Sequence, residues 1–232
     1  MVKLTFAQSA LVWAGGGVFV LALGFCAYSY ASTWGNPAPF NAEAMAVNAL
    51  LFTLFALHHS VFARDPVKRW MSRAVPEPLL RSVYVWFASL LLIATCAAWQ
   101  PVGGELYHHI GVLAAVHGAL QLAGAAIIVQ SVRAIDALEL AGIHQPPPMT
   151  DVVTLQISGP YGWVRHPIYL GWFLLTFGAA HMTGDRLFFA LIAAVYLLIA
   201  MPFEERSLRT SFGERYVEYE RLVRYRVVPY VY

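Results

Sequence analysis

The chain has 232 residues, of which 59% are hydrophobic and only 12% are charged. A soluble domain has about 25% charged residues, so this composition excludes an ordinary soluble protein and is typical of a protein with several membrane helices. The formal net charge of +2 does not indicate nucleic-acid binding, because membrane topology accounts for the placement of the basic residues.

Six apolar runs are close to the roughly 20 residues that a helix needs to cross a bilayer. They lie at residues 9–31, 43–62, 80–99, 110–132, 167–183 and 186–203. The first run is too long for the apolar region of a signal peptide, and the fifth is short and contains His181. The predicted fold class is an all-α integral membrane protein with about six transmembrane helices in a single domain, residues 1–232.

The basic residues indicate the orientation of these helices. With six spans, one side of the membrane receives 14 of the 15 Lys and Arg residues, and the other side receives only Arg186. The side rich in positive charge is normally cytoplasmic, which places both termini there. Five or seven spans would divide the basic residues between the two sides, so the charges independently favour six. A bacterial inner membrane is the predicted location.

The cysteines and histidines do not have the spacing of a metal site, and we predict none. Cys26 and Cys96 each lie in an apolar run, where a disulfide and two buried free thiols are both compatible with the sequence; a free Cys commonly packs as a small hydrophobic residue. The neighbours in the pairs His58-His59 and His108-His109 would point in different directions on a helix.

Two of the segments between apolar runs have a composition or length that indicates more than a simple link. Residues 64–78 begin with Asp65-Pro66 and are basic, which predicts a short interfacial helix that contacts anionic lipid or forms a wall of a site. Residues 134–165 form a long connection that contains three consecutive prolines, 146–148, and a predicted extended piece at 152–157. A loop of this length is usually functional or disordered, and we favour a functional role.

The C-terminal segment 204–226 interleaves charged residues with apolar residues at nearly helical spacing. This pattern predicts an amphipathic interfacial helix along the inner membrane surface, broken near Gly213. The same helix could instead close over a site as a lid.

Five side chains form a predicted cluster at one membrane face. Arg165, His166 and Tyr169 lie where a polar loop meets the fifth apolar run, and Glu204-Glu205 lie where the sixth run ends. Ionisable groups at membrane depth are costly, so such a cluster is a candidate functional site. Buried carboxylates need a cationic partner, which Arg165 or the ammonium group of a ligand can supply. A zwitterionic, partly aromatic cofactor suits this mixture.

Four motifs follow one another in this half of the chain: Gly159-Pro160-Tyr161, Val164-Arg165-His166-Pro167-x-Tyr169-x-Gly171, Glu204-Glu205-x-x-Leu208 and Phe212-Gly213-x-x-Tyr216-x-x-Tyr219. Their order and spacing resemble the isoprenylcysteine carboxyl methyltransferase and phospholipid methyltransferase superfamily. The resemblance implies that S-adenosylmethionine binds among membrane helices and inner-face loops, on the cytoplasmic side. It also implies that a small or lipophilic methyl acceptor enters from the bilayer lipid.

The resemblance implies the following cofactor-binding residues: Tyr161, Arg165, His166, Pro167, Tyr169, Leu170, Gly171, Glu204 and Glu205. In this set, His166 and residues 169–171 line the adenosine side, and Glu204 or Glu205 holds the methionine ammonium group. Residues 134–232 are therefore the predicted cofactor-binding half, and residues 1–133 are an N-terminal helical half.

The N-terminal half has its own motifs: His59-Ser60-x-x-Ala63-Arg64, Lys68-Arg69-Trp70, Val75-Pro76-Glu77-Pro78 and Arg81-Ser82-x-Tyr84-Val85. These resemble the bacterial methanethiol S-methyltransferases and the related membrane proteins encoded beside denitrification genes. The resemblance implies S-methylation of a thiol, or else a non-catalytic accessory role in denitrification.

The sequence also favours one class of methyl acceptor and a set of catalytic residues. The isoprenylcysteine enzymes have an arginine shortly before the glutamate pair, whereas residues 197–203 here contain no cation. A thiol is therefore favoured, with isoprenylcysteine-type carboxyl or lipid amine methylation as alternatives. A thiol reacts as its thiolate, and His58, His59 and Arg64 are the predicted catalytic residues, although a histidine at a helix end also serves for capping or packing. A transporter is disfavoured because the polar groups gather at one face.

Overall fold

The computed structural model describes residues 4–144 and 155–231. These residues form two compact units, one of residues 4–103 and 136–144, the other of residues 104–135 and 155–231. The proline segment at 146–148 and the first half of the predicted extended piece at 152–157 lie outside the described residues. The functional halves 1–133 and 134–232 remain a prediction.

The structure is mostly helical. In chain order its elements are α1 (Phe6–Ala31), α2 (Ala42–Phe62), α3 (Asp65–Met71), α4 (Leu80–Ala97), β1 (Glu105–His108), α5 (Gly111–Ala134), α6 (Ala137–Leu140), α7 (Pro167–Phe177), β2 (His181–Thr183), α8 (Gly184–Phe212) and α9 (Glu214–Leu222).

The first unit contains α1 to α4 and α6, and small residues set its helix packing. The Trp86 indole lies where a Cβ on Gly15 of α1 would stand, at 2.7 Å from that position. The indole Nε1 also donates to the carbonyl of Leu11 at 3.0 Å. Glycine at position 15 therefore allows α4 to reach the backbone of α1 with a large aromatic side chain.

Polar groups inside the first unit are paired with each other. The fully buried Asn48 donates to the carbonyl of Gln100 at 2.7 Å and accepts from its N–H at 2.8 Å. Ser82 donates to the carbonyl of Gly142 at 2.6 Å, which ties the segment after α6 to α4. Away from water an unpaired polar group costs several kcal/mol, so these pairs are needed in a membrane protein. Cys26 and Cys96 are both buried, and both are free thiols in this structure.

In the second unit α5 and α7 cross at two glycines. A Cβ on Gly124 would lie 2.5 Å from the carbonyl oxygen of Gly171, and a Cβ on Gly171 would lie 2.6 Å from that of Gly124. Backbone oxygens cannot move aside as a flexible side chain can. Close crossings of this kind are typical of membrane helices, where small residues let backbones approach.

Among the described residues, five helices are long and apolar enough to cross a membrane: α1, α2, α4, α5 and α8, with the short turns at Thr33–Gly35 and Glu77–Leu79 extending the first and third. The predicted fifth span at 167–183 is not one continuous helix. Helix α7 has only 11 residues and ends before Gly178, and residues 181–183 form β2. With Gly178, Ala179 and Ala180 following the helix, the chain becomes extended and pairs with β1. The prediction of an all-α fold thus holds apart from this two-stranded sheet.

Helix α8 is longer than its apolar run. It continues through Pro202 and the glutamate pair to Phe212, and Gly213 then turns the chain with φ 57° into α9. The helix break predicted near Gly213 is therefore present. Arg209 and Glu220 form two hydrogen bonds of 2.8 Å, which hold α9 back against the end of α8.

The glycine crossing generates a test of helix packing. Gly124→Ala or Gly171→Ala should destabilise the protein by about 1–3 kcal/mol, because the added methyl groups would overlap backbone atoms. The midpoint of thermal unfolding in detergent measures the effect. Gly118→Ala is the matched control on α5, since nothing lies within 4 Å of its Cβ position; it should be neutral or slightly stabilising. Equal midpoints for all three variants would show that the crossing is looser than described.

Candidate functional site

The backbone before α7 is held by the C-terminal end of the chain. Arg165 N–H donates to the carbonyl of Tyr225 at 3.0 Å, and His166 N–H donates to that of Arg226 at 2.8 Å. Pro167 then begins α7, a position where its missing N–H costs nothing. These bonds fix the direction in which the Arg165 and His166 side chains leave the backbone.

Glu205 is a buried carboxylate with two arginine partners. Its side chain is 2% exposed, and Oε1 accepts from Arg165 Nε at 2.9 Å and lies 2.8 Å from Arg165 Nη2. Arg226 Nη2 lies 3.0 Å from Oε2, and His166 Nε2 lies 3.4 Å from Oε1. Glu205 therefore has no exposed oxygen to offer an incoming ligand.

Arg165 is likewise buried and fully engaged in hydrogen bonds. Its side chain is 7% exposed, and besides the two contacts with Glu205 its Nη1 donates to the carbonyls of Val223 and Arg224, each at 2.9 Å. The guanidinium thus joins α8 to the segment after α9. We refer to Arg165, Glu205 and Arg226 as the arginine–glutamate network.

Glu204 has a different environment from its neighbour. Its side chain is 47% exposed. Its Oε2 accepts from the Tyr169 hydroxyl at 2.6 Å and lies 3.8 Å from His166 Nδ1. The His166 ring, itself 4% exposed, stacks on the Tyr169 ring with centroids 5.1 Å apart. Within the described part of the chain, the other oxygen of Glu204 has no hydrogen-bond donor and is available for a further cation.

Three tyrosines line the same region. The Tyr219 hydroxyl donates to the carbonyl of Tyr161 at 2.7 Å, linking α9 to the turn at Gly159–Gly162. Burial and the nearby Glu204 charge raise the pKa of Tyr161 to about 12, so this phenol remains neutral. Burial likewise raises the pKa of Tyr216. The buried Tyr216 hydroxyl has no hydrogen-bond partner in the described residues.

The remaining predicted cofactor residues lie along the first turns of α7. Pro167 is fully buried and Leu170 is half-buried. Gly171 is in direct backbone contact with Gly124. The crossing with α5 requires a glycine at this position.

The predicted catalytic residues His58, His59 and Arg64 belong to the first unit. Both histidines lie in the last turns of α2, and Arg64 is exposed and immediately precedes α3. His59 Nδ1 lies 2.8 Å from the Tyr84 hydroxyl. In contrast, His58 Nδ1 is buried without a hydrogen-bond partner among the described residues.

His58 lines a cavity of about 410 Å³ inside the first unit. The His58 ring stacks on the Phe62 ring, with centroids 4.5 Å apart, and on the Tyr84 ring, with centroids 5.8 Å apart. The other lining side chains are mostly apolar and include Trp70, Met71 and Phe87. This volume falls in the usual range of small-molecule sites. Neither His59 nor Arg64 lines the cavity. Of the three predicted catalytic residues, only His58 therefore belongs to its lining.

Sequence reasoning missed two features of these sites. Arg226 lies beyond the last motif, and only tertiary structure brings it to Glu205. The cavity around His58 depends on α3, whose Trp70 and Met71 form part of its lining. The start at Asp65-Pro66 and the basic composition of residues 64–78 indicated a short helix that could form a wall of a site, but not the cavity itself.

Comparison with known proteins identifies the family. Residues 113–215 match the phospholipid methyltransferase family. Methanethiol S-methyltransferase 2 of Bradyrhizobium diazoefficiens is 36% identical over 214 residues, covering 88% of this chain and 82% of that protein. The methanethiol S-methyltransferase of Mycobacterium tuberculosis is 36% identical over 190 residues, covering 78% of this chain and 77% of that protein.

A more distant likeness is restricted to one part of the chain. Protein-S-isoprenylcysteine O-methyltransferase of Mus musculus is 38% identical over 81 residues, which are 32% of this chain and 27% of the mouse protein. No solved structure matches the chain. The extended likeness to the bacterial enzymes, together with the apolar helices, shows that this chain belongs to the methanethiol S-methyltransferase family and is a membrane methyltransferase.

Proposed function

We propose that this enzyme transfers a methyl group from S-adenosylmethionine to a small thiol, giving a thioether. The observation that carries the proposal is the Glu204 carboxylate, half-exposed beside the rings of Tyr169 and His166, with one oxygen available for a cation. The names of the relatives that match most of this chain support a thiol as the acceptor.

The residues around Glu204 fit this cofactor. Glu204 would hold the ammonium group through a charge-assisted hydrogen bond. The rings of Tyr161, His166 and Tyr169 would lie against adenine and near the sulfonium, whose positive charge is attracted to aromatic faces. The unpaired hydroxyl of Tyr216 is a further donor in this region. When bound, S-adenosylmethionine supplies a methyl group made electrophilic by its positively charged sulfur.

The other predicted residues would support this contact. Pro167, Leu170 and Gly171 would shape the adenosine side through the first turns of α7. Arg165 and Glu205 are already saturated by each other and by Arg226, and would hold the surrounding backbone rather than contact the cofactor. This division assigns the ammonium group to Glu204, where the family resemblance left both glutamates open.

His58 is the proposed group that prepares the acceptor. A thiol must lose its proton before attack, and the buried His58 Nδ1 has no hydrogen-bond partner among the described residues. His58 lines the cavity, and a nitrogen of its neutral ring would accept a proton from a thiol bound there. His59 would orient Tyr84 through their 2.8 Å contact, and the Arg64 charge would favour the thiolate at longer range.

A thiol is preferred to other acceptors on two grounds. The cavity lining is mostly apolar, which suits a small uncharged thiol better than a carboxylate. Residues 197–203 of α8 contain no cation that would bind a substrate carboxylate. An apolar acceptor of this kind partitions into lipid, so entry from the bilayer is part of the proposal.

We further propose six membrane crossings in a bacterial inner membrane, with both termini and Glu204 on the cytoplasmic side. Helix α7 alone is about 16 Å long, and beyond the turn at residues 178–180 strand β2 continues in extended form for about 10 Å more. Pairing of β2 with β1 satisfies their backbone groups, as a bilayer requires. Helix α9 would lie along the inner surface, in contact with lipid.

Glu204→Gln tests the cofactor assignment. Loss of a charge-assisted hydrogen bond costs about 1.5–3 kcal/mol, so we expect affinity for S-adenosylmethionine to fall by about tenfold to a hundredfold. The unfolding midpoint should change little because the side chain is half exposed. Calorimetric titration of purified protein with S-adenosylmethionine and S-adenosylhomocysteine measures the affinity. Glu218→Gln, an exposed glutamate on α9, is the matched control; unchanged affinity in Glu204→Gln would refute the assignment.

Glu205→Gln should instead lower the stability of the folded protein. Removing one member of a buried ion pair leaves charges uncompensated and costs about 3–5 kcal/mol. We expect a large fall in the unfolding midpoint, measured in detergent by thermal denaturation. If Glu205→Gln does not accumulate, Arg226→Gln gives a milder test, since the Arg226 side chain is 30% exposed. A Glu205→Gln protein as stable as the wild type would contradict this role.

The acceptor and the role of His58 are tested together. Purified enzyme with methyl-labelled S-adenosylmethionine should convert methanethiol to dimethyl sulfide, measured by gas chromatography. His58→Gln should lower kcat by about 10²–10⁴-fold without changing cofactor affinity. Raising the pH should restore part of the rate, since hydroxide then ionises the thiol.

His144→Gln, an exposed histidine of the same unit, is the control and should retain full activity. Methylation of phosphatidylethanolamine but not of methanethiol would overturn the thiol proposal and leave the cofactor assignment standing. An unchanged kcat in His58→Gln would remove His58 from the mechanism.

A further inference from the structure

The short sheet at the start of α8 brings together side chains that are far apart in sequence. Strands β1 and β2 are antiparallel, and His108 is the direct partner of His181. Residues directly opposite each other in such a pair carry their side chains on the same face. The two imidazole rings are accordingly stacked, with centroids 4.3 Å apart and planes 16° apart.

An irregularity in β1 adds a carboxylate to this face. Glu105 and His108 are three residues apart, and in a regular strand they would point to opposite faces. The register shifts between Glu105 and Tyr107, and the extra residue of such a bulge reverses the alternation. As a result Glu105 Oε2 lies 3.2 Å from His181 Nε2.

We propose that Glu105, His108 and His181 bind a divalent transition-metal ion, with Zn²⁺ as the ion to test. One ligand atom from each lies within 4.8 Å of the others. Ligand atoms in a tetrahedral zinc site are about 3.3 Å apart, as bond lengths of about 2.0–2.1 Å require. Small rotations of side chains would therefore close the site, and the exposure of Glu105 and His108 leaves room for water as the fourth ligand.

The ligand set indicates the class of ion. Two imidazoles and one carboxylate suit Zn²⁺, Cu²⁺ or Ni²⁺. They suit Ca²⁺ and Mg²⁺ poorly, because those ions prefer a shell of oxygen ligands. The site includes no thiolate, since Cys26 and Cys96 are buried in the first unit.

The backbone around the ligands is well supported. His109 N–H donates to the carbonyl of Ala180 at 2.8 Å, and Gly184 N–H donates to that of Gly104 at 3.0 Å. Arg186 donates to the carbonyl of His181 at 2.6 Å. These bonds hold both strands in register, so an ion would not have to order the ligands itself. Without an ion, His181 and Glu105 form an ordinary hydrogen-bonded pair.

The metal site is separate from the proposed cofactor site. Glu204 lies 20 residues along α8 from Gly184, a distance of about 30 Å. The ion would instead join the strand that leads into α5 to the strand that leads into α8. Its expected effect is therefore to stabilise the second unit, not to take part in methyl transfer.

Zn²⁺ binding to the purified full-length protein, freed of any affinity tag and treated with chelator, tests the proposal. Competition with a chromophoric chelator should show one ion per chain, and Zn²⁺ should raise the unfolding midpoint whereas Mg²⁺ should not. His108→Ala and His181→Ala should each weaken binding by at least about tenfold. His109→Ala is the matched control, because the His109 ring stacks on Tyr107 and His117 instead.

Glu105→Gln provides a second variant if either histidine variant fails to fold. The Glu105 side chain is exposed, and glutamine has nearly the same shape as glutamate, so this variant should fold. Its affinity for Zn²⁺ should also fall by about tenfold or more. Equal binding by wild type and all ligand variants, or an equal loss in His109→Ala, would identify an adventitious ion only and overturn the proposal. Absence of Zn²⁺ binding by the wild type would overturn it as well.

Discussion

A single buried carboxylate organises the second unit. Glu205 is almost completely enclosed, and a charge in that position is tolerated only with close and well-oriented partners. Arg165 and Arg226 supply them from two segments that are 61 residues apart in the chain. Because Arg165 also donates to two carbonyls after α9, one interaction joins the start of α7, the end of α8 and the C-terminal segment.

The neighbouring glutamates show how helix geometry separates two tasks. Consecutive residues on a helix differ by about 100° in direction, so Glu205 enters the protein interior while Glu204 remains half exposed. Glu205 is paired with arginines in the interior, and one oxygen of Glu204 accepts no hydrogen bond from the described residues. The arginine–glutamate network thereby holds Tyr169 and His166 in place next to Glu204, which gives the proposed cofactor site a rigid frame.

The two ends of α8 have different chemistry. Near Phe212 the side chains are carboxylates, arginines and tyrosines that suit a zwitterionic ligand; near Gly184 they are imidazoles and a carboxylate that suit a transition metal. Between them the helix is apolar, as a membrane span requires. Helix α7 is shorter than a span, and the strand that follows it is paired with β1, so its backbone groups are hydrogen-bonded.

The sequence by itself determined the membrane class, five of the helices, the family and the cluster around Glu204, because hydropathy and contiguous motifs are local properties. It left the roles of Glu204 and Glu205 open, since burial depends on neighbours distant in the chain. The resemblance placed Gly171 on the adenosine side, and tertiary structure adds its packing against Gly124. The contact of Arg226 with Glu205 and the pairing of His108 with His181 were decided only by tertiary structure, because they join residues 21 and 73 positions apart with no local pattern.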